Sequence, residues 1–204
     1  MSVYKLGLTG SIGMGKSTTA NMFREAGIPV FDSDAVVHAL YAAGGEAVPL
    51  IEVAFSGSVD EGEVSRAKLS EALQADPTGF DRLNAIVHPL VLERRQEFLE
   101  AAKANGAALV VFDIPLLYET SGHTNVDGVL VVTAPENIQR QRVLARKGMT
   151  KAKLDQILTR QIPDAEKRQR ADFVIETHYG LEAARKSVED LILKLKTESN
   201  QVSK

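Results

Sequence analysis

The sequence predicts an α/β protein of three layers: a five-stranded parallel sheet covered by helices, with a helical insertion and a helical lid. Three observations carry this. Five short apolar runs, at residues 3–9, 28–31, 108–113, 128–133 and 173–175, alternate with stretches of helical periodicity. Strands that read as unbroken apolar runs belong to parallel sheets buried on both faces. The first run leads directly into the glycine-rich turn Gly10-Ser11-Ile12-Gly13-Met14-Gly15-Lys16-Ser17, and a helical stretch follows it. Residues 46–106 hold no convincing strand beyond a few residues near Ser58, so a helical region interrupts the sheet.

Composition bounds what such a chain does. With 204 residues and 44% hydrophobic content, it can bury a sizeable core as one α/β unit carrying a small insertion. A net charge of −3 argues against a protein that coats nucleic acid. The absence of Cys leaves no disulfides and no thiol chemistry, which suits a reducing cytoplasm. The first core strand begins within a few residues of the N-terminus, leaving no room for a signal peptide, and no apolar run approaches bilayer-spanning length. The expectation is a soluble cytoplasmic protein with no nucleic-acid or membrane partner, a monomer being favoured.

Taken in order, residues 3–9 form strand one and residues 17–26 the helix after the turn. Gly27 stops that helix, and residues 28–31 form strand two, the expected neighbour of strand one. Ser33 is placed to cap a helix over residues 34–43, which Gly44-Gly45 ends. Within the insertion, Ser65 precedes a helix over 67–73 and Asp76-Pro77 breaks the chain. Phe80, Leu83, Ile86 and Val87 then recur at helical spacing. His88-Pro89 is expected to interrupt this helix, with a second amphipathic one over 91–104. A closing amphipathic helix covers 180–195 and a polar, frayed tail covers 197–204. The parts become a core of about 1–45, 107–135 and 172–196, a helical region of about 46–106, and a lid of about 136–171. Residues 139–170 carry ten basic and three acidic side chains, a local charge of +7. Most of these are solvated helix faces, but beside a phosphate-binding loop such a segment also suits a lid over phosphates.

The turn fits Gly, four residues, Gly-Lys-Ser, between a strand and a helix, which makes the fold P-loop NTPase-like. Glycines let successive backbone N–H groups converge on an anion, and the helix opening at Gly15 or Lys16 aims its positive end there. The loop from Gly13 to Thr18 is therefore the nucleotide-binding candidate, with Lys16 on the β- and γ-phosphates and the Ser17 hydroxyl a ligand for Mg²⁺. At the end of strand two, Asp32-Ser33-Asp34 supplies a carboxylate to accept the proton of an attacking hydroxyl; spacing alone does not say which. Asp113 ends an apolar strand, as does the second acidic group of phosphate-loop enzymes, and so bears on Mg²⁺. Pro115-Leu116-Leu117 beyond it makes an apolar ledge for an acceptor, or plain core. His88 has no second His, Cys or carboxylate at metal-ligand spacing, so no zinc site is expected. Arg142 and Arg146 share one helix face, suited to bidentate phosphate contact and to stacking on a base.

Together these residues resemble the dephospho-coenzyme A kinase family, from Leu8 to about Gly180. The resemblance rests on Leu8-Thr9 with the loop through Thr18, Asp32-Ser33-Asp34, Arg66 and Leu69. It continues through Leu83-Asn84-Ala85-Ile86-Val87-His88-Pro89 and Asp113-Ile114-Pro115-Leu116-Leu117-Tyr118-Glu119. Gln139, Arg142, Arg146, Gly148, Gln161 and Ala171-Asp172 with Val174-Ile175 complete it. It implies ATP-dependent phosphorylation of the ribose 3′-hydroxyl of dephospho-CoA. It also implies Asp34 as the base, and ATP contacts from Arg142 and Arg146. Thr9, Arg66, His88, Leu116 and Leu117 would then serve the acceptor. Where the family pattern has Ile-Asp-Asn before a glycine, this chain has Ile175-Glu176-Thr177 and then His178-Tyr179-Gly180. Two rivals share the motifs: another small-molecule or nucleoside monophosphate kinase of the same fold, and a nucleotide switch without transfer activity.

Overall fold

The computed structural model describes residues 3–201, with side chains to Thr197. Its main sheet has five strands in the order β2-β5-β1-β6-β7. These are β1 Tyr4–Thr9, β2 Val30–Asp32, β5 Leu109–Asp113, β6 Gly128–Thr133 and β7 Phe173–Glu176. A separate two-stranded pair, β3 Val59–Asp60 with β4 Glu63–Val64, accounts for the extended residues near Ser58. Each pairing of β1 with β5, β1 with β6 and β6 with β7 is parallel.

Strand two is not the neighbour of strand one: β5 lies between them. The reason is burial. Every residue of β5 is buried, whereas β2 buries only Phe31. A strand that is apolar throughout gains most from a central place with both faces covered, and the shorter, half-exposed strand is left at the edge. Alternation then separates the two faces. Leu130 and Val132 of β6 join Leu6, Leu8 and Val111 in one core cluster, while Val129 and Val131 point the other way, toward Leu117 and Tyr118.

The chain divides into two compact units. One comprises the residues up to Phe31 and from Ala102 onward; the other is Asp32–Ala101. In the first unit, α1 (Lys16–Glu25) and α9 (Leu181–Gln201) cover one sheet face. Phe23 of α1 and Val188, Ile192 and Leu195 of α9 are almost fully buried there. The last helix thus runs beyond the expected end at residue 195, because its apolar residues continue at helical spacing to Leu195 and nothing in residues 196–201 breaks a helix. Of the tail expected to fray, residues 202–204 lie outside the described residues. The basic segment forms α6 (Glu136–Leu144), α7 (Lys151–Leu158) and α8 (Asp164–Gln169).

The second unit packs α2 (Ser33–Tyr41), α3 (Ala47–Ala54), α4 (Arg66–Ala75) and most of α5 (Gly79–Ala104) around its own core of Leu40, Ile51, Phe55, Leu69 and Leu73. Two expectations are corrected here. Asp32, not Ser33, caps α2: its carboxylate accepts a hydrogen bond from Ala35 N at 3.0 Å. An aspartate one position earlier satisfies the same orphan amide with a full charge facing the helix's positive end. Nor does His88-Pro89 end a helix: α5 continues through Pro89. The proline forfeits one backbone hydrogen bond, but Leu83, Ile86, Leu90 and Val91 on both sides of it pack into the same core, which holds the helix in one piece.

Candidate active site

The loop after β1 shows why this turn needs its glycines. Gly13 and Gly15 adopt φ of +80° and +97°, the left-handed region that side chains disfavour. Gly15 is the N-cap of α1, so the helix opens at Lys16 with its amide groups directed to the loop. Space is equally limiting. A Cβ on Gly13 would meet Val143 Cγ2 at 2.5 Å, and one on Gly15 would meet the Thr177 side chain at 3.1 Å.

Lys16 Nζ donates to Asp113 Oδ1 at 2.5 Å, with the lysine side chain 17% exposed and the carboxylate 4% exposed. Asp113 is thus brought to the loop by the pairing of β5 with β1. Ser17 and Thr18 are exposed in the first turn of α1. The Ser17 hydroxyl and the Asp113 carboxylate are hard oxygen donors, the chemistry that Mg²⁺ requires. Met14 is buried, and its sulfur accepts from Ala134 N at 3.1 Å. Thr9 is fully buried, and its hydroxyl donates to the Pro115 carbonyl at 3.0 Å, tying the end of β1 to the turn after β5.

Arg142, in the last turn of α6, reaches back to the same loop. Its Nη1 donates to Thr177 Oγ1 and its Nη2 to the Thr177 carbonyl, both at 2.8 Å. Arg146 is exposed but lies past the end of α6 at Leu144, so the two arginines do not share a helix face as their spacing predicts: the helix stops at the Ala145 C-cap before the second of them. Two glutamines grip the loop at Ile12: Gln139 Nε2 donates to its carbonyl at 2.8 Å, and Gln161 Oε1 accepts from its amide at 3.1 Å. Beside them opens a cavity of about 500 Å³ lined by Ser11, Met14, Gln139, Gln161, Asp164 and His178. That is the size range of small-molecule sites.

Of the two ledge leucines, Leu116 is 40% exposed and Leu117 is fully buried among Tyr118, Val129 and Val131. The apolar ledge is therefore one residue wide, and Leu117 is core. In the helical unit, Asp34 is exposed in the first turn of α2 while Asp32 is engaged in the cap. Arg66 opens α4 with its guanidinium 5.9 Å from the Tyr41 ring centroid, and His88 is exposed on α5.

Spacing and composition did not single out the glutamines, Thr177, or the pair Glu119–Lys167. Glutamine is the commonplace residue of a polar helix, and a lysine among ten basic residues carries no mark of burial. Yet Lys167 is fully buried, with Nζ 2.8 Å from Glu119 Oε1. The same oxygen accepts Ile162 N at 2.9 Å, so Glu119 anchors the connection between α7 and α8. Burial alone would raise the Glu119 carboxyl; the Lys167 ammonium 2.8 Å away and the backbone amides outweigh it, and the pKa lies below its ordinary value of 4.5. Since the folded value is the lower one, this contribution to stability is complete above about pH 4.5 and fades as pH falls through the folded pKa. Glu119→Gln leaves Lys167 charged and buried without its counter-charge, and should cost about 3 kcal/mol in urea unfolding at pH 7. Its stability should also lose part of the acid-side slope. Unchanged stability in this variant would show that Glu119 anchors nothing.

The dephospho-CoA kinase family model matches residues 4–182. A dephospho-CoA kinase of Rhodopseudomonas palustris is 54% identical over 187 residues, covering 92% of this chain and 93% of that protein. One of Mesorhizobium japonicum is 56% identical over 191 residues, covering 94% and 96%. Among solved structures, TT1252 from Thermus thermophilus superposes with a TM-score of 0.82 at 32% identity, covering 96% of this chain and 99% of that one. The match takes in the loop, Asp113, the arginine helix and Thr177 alike, and with it the chain belongs to the dephospho-CoA kinase family.

Proposed function

We infer that the protein transfers the γ-phosphoryl group of ATP to the ribose 3′-hydroxyl of dephospho-CoA, yielding coenzyme A and ADP in the cytoplasm. One observation carries the chemical assignment. Of the two carboxylates that follow β2, Asp32 is committed to capping α2, and Asp34 is exposed and available as the base. A nucleotide switch has no need of such a group.

The steps follow from the residues. Backbone amides of Gly13 to Ser17 hold the phosphates, with the dipole of α1 behind them. Lys16 neutralises charge on the β- and γ-phosphates. Asp34 orients the 3′-hydroxyl and takes its proton as the oxygen attacks phosphorus in line with the departing ADP oxygen. Arg142 and Arg146 stabilise the charge spreading over the transferred group. Closure of the basic helices as a lid excludes water, which would otherwise hydrolyse ATP. Ser17 and Asp113 would hold Mg²⁺, which would supply further neutralisation of phosphate charge. The acceptor is served by Asp34, Arg66 and His88 of the helical unit and by the exposed Leu116, with Thr9 acting through the Pro115 turn.

A product assay tests the assignment. With ATP and Mg²⁺, dephospho-CoA should be converted to coenzyme A, and a panel of nucleoside monophosphates and sugar acids should be phosphorylated at least about a hundredfold more slowly, since a site built for one acceptor leaves polar groups unpaired with another. Activity confined to the panel would assign a different acceptor, and ATP binding without transfer would make the protein a switch.

A further inference from the structure

Thr177, directly after β7, sits at a crossing of contacts. Thr177 Oγ1 accepts from Arg142 Nη1 at 2.8 Å and donates to the Met14 carbonyl at 2.8 Å, with the Thr133 carbonyl 3.2 Å away. The Thr177 carbonyl accepts from Arg142 Nη2 at 2.8 Å. Arg142 Nη1 also lies 3.5 Å from the Gly13 carbonyl. The Thr177 side chain covers Gly15, leaving no room for a Cβ there.

The chemistry of these contacts is specific. A hydroxyl has one proton and two lone pairs, so one oxygen can accept from the guanidinium while donating to a carbonyl of the phosphate loop. The guanidinium fork, in turn, matches two acceptors on one residue, a hydroxyl and the carbonyl of the same residue. Thr177 therefore links three parts that meet at the phosphates: the loop at Met14 and Gly15, the end of β6 at Thr133, and the arginine of α6. An arginine in the last turn of a helix otherwise keeps several rotatable bonds, and ordering them at the moment of binding weakens affinity.

We propose that Thr177 is the positioning residue for Arg142: its hydroxyl and carbonyl hold the guanidinium against the phosphate loop and so set the affinity for the nucleoside triphosphate. Thr177 touches no reacting atom and acts through Arg142 and the loop. The inference rests on the reading of Arg142 as a triphosphate contact.

Thr177→Val keeps the shape and the carbonyl and removes the hydroxyl; Thr177→Ser keeps the hydroxyl. ATP titration by calorimetry on the full chain should show affinity weakened about tenfold in the valine variant and within about twofold of wild type in the serine variant, the loss of one charge-assisted hydrogen bond being of that order. In steady state the KM for ATP should rise by a similar factor while the KM for dephospho-CoA stays within about twofold. In an Arg142→Ala background, Thr177→Val should weaken ATP binding by less than about twofold, because the group it positions is gone. A valine variant that binds ATP like wild type overturns the proposal. So does a serine variant as weak as the valine one, or a full tenfold loss in the Arg142→Ala background. Should Thr177→Val fail to fold by circular dichroism, Thr177→Ala takes its place. Wild-type protein that binds ATP but leaves dephospho-CoA unphosphorylated would refute the assigned reaction, and the titrations would still decide the role of Thr177.

Discussion

Asp34→Asn should lower kcat for dephospho-CoA phosphorylation about a thousandfold and leave ATP affinity within about twofold of wild type, a positioned base contributing about 10²–10⁴. The substitution is nearly isosteric and falls on an exposed residue in the first turn of α2, so the fold is undisturbed. What it removes is the acceptor of the 3′-hydroxyl proton. Asp32→Asn is the internal control. Asp32 caps α2 through Ala35 N, and asparagine is itself a good cap, so this variant should lose no more than about 1 kcal/mol of stability and retain most turnover. Steady-state rates and calorimetry on the two variants decide the matter. If Asp32→Asn lost the activity and Asp34→Asn kept it, the roles assigned here would be exchanged.

Lys16→Met should abolish detectable turnover, a loss of at least about a thousandfold, and should weaken ATP binding as well. Two separate effects combine. The ammonium no longer meets the phosphates, and the Asp113 carboxylate, 4% exposed, loses the partner 2.5 Å away. Breaking a buried pair from one side costs about 3–5 kcal/mol, so the variant should also unfold at lower urea concentration. The double variant Lys16→Met with Asp113→Asn separates the effects. It should recover much of the stability and none of the turnover. Recovery of turnover in the double variant would mean that Lys16 serves only to neutralise Asp113.

Both experiments turn on carboxylates that the sequence leaves alike and the structure places in different surroundings. Asp32 and Asp34 are two residues apart and chemically alike, and each can cap a helix or accept a proton. The distinction is conformational: Asp32 has the extended backbone of an N-cap, with φ −99° and ψ 104°, and Asp34 lies within the helix. Asp113 is a comparable case. An acidic residue after four apolar ones is common, and only the pairing Leu8↔Asp113 brings it level with the start of the loop and within reach of Lys16.

What the sequence determined by itself was whatever depends on neighbours along the chain. The five apolar runs, the strand-turn-helix around Gly10–Ser17 and the helical character of residues 46–106 are local patterns, because periodicity and glycine content act within a few residues. The family was legible for the same reason, its motifs being short runs. Strand order was decided by tertiary structure, since β5 displaced β2 from the side of β1 by burying both faces, a competition among segments far apart in sequence. The unbroken course of α5 through Pro89 was decided there too, by apolar residues on both sides of the proline sharing one core. So was the reach of Thr177 to Met14 and Arg142, and of Gln139 and Gln161 to Ile12. A threonine or glutamine carries no pattern that announces its partner. Hydrogen bonds between residues 35 to 163 apart in sequence arise only when the sheet brings the loop, the end of β7 and the basic helices to one edge, and there the buried carbonyls and amides of the loop require partners.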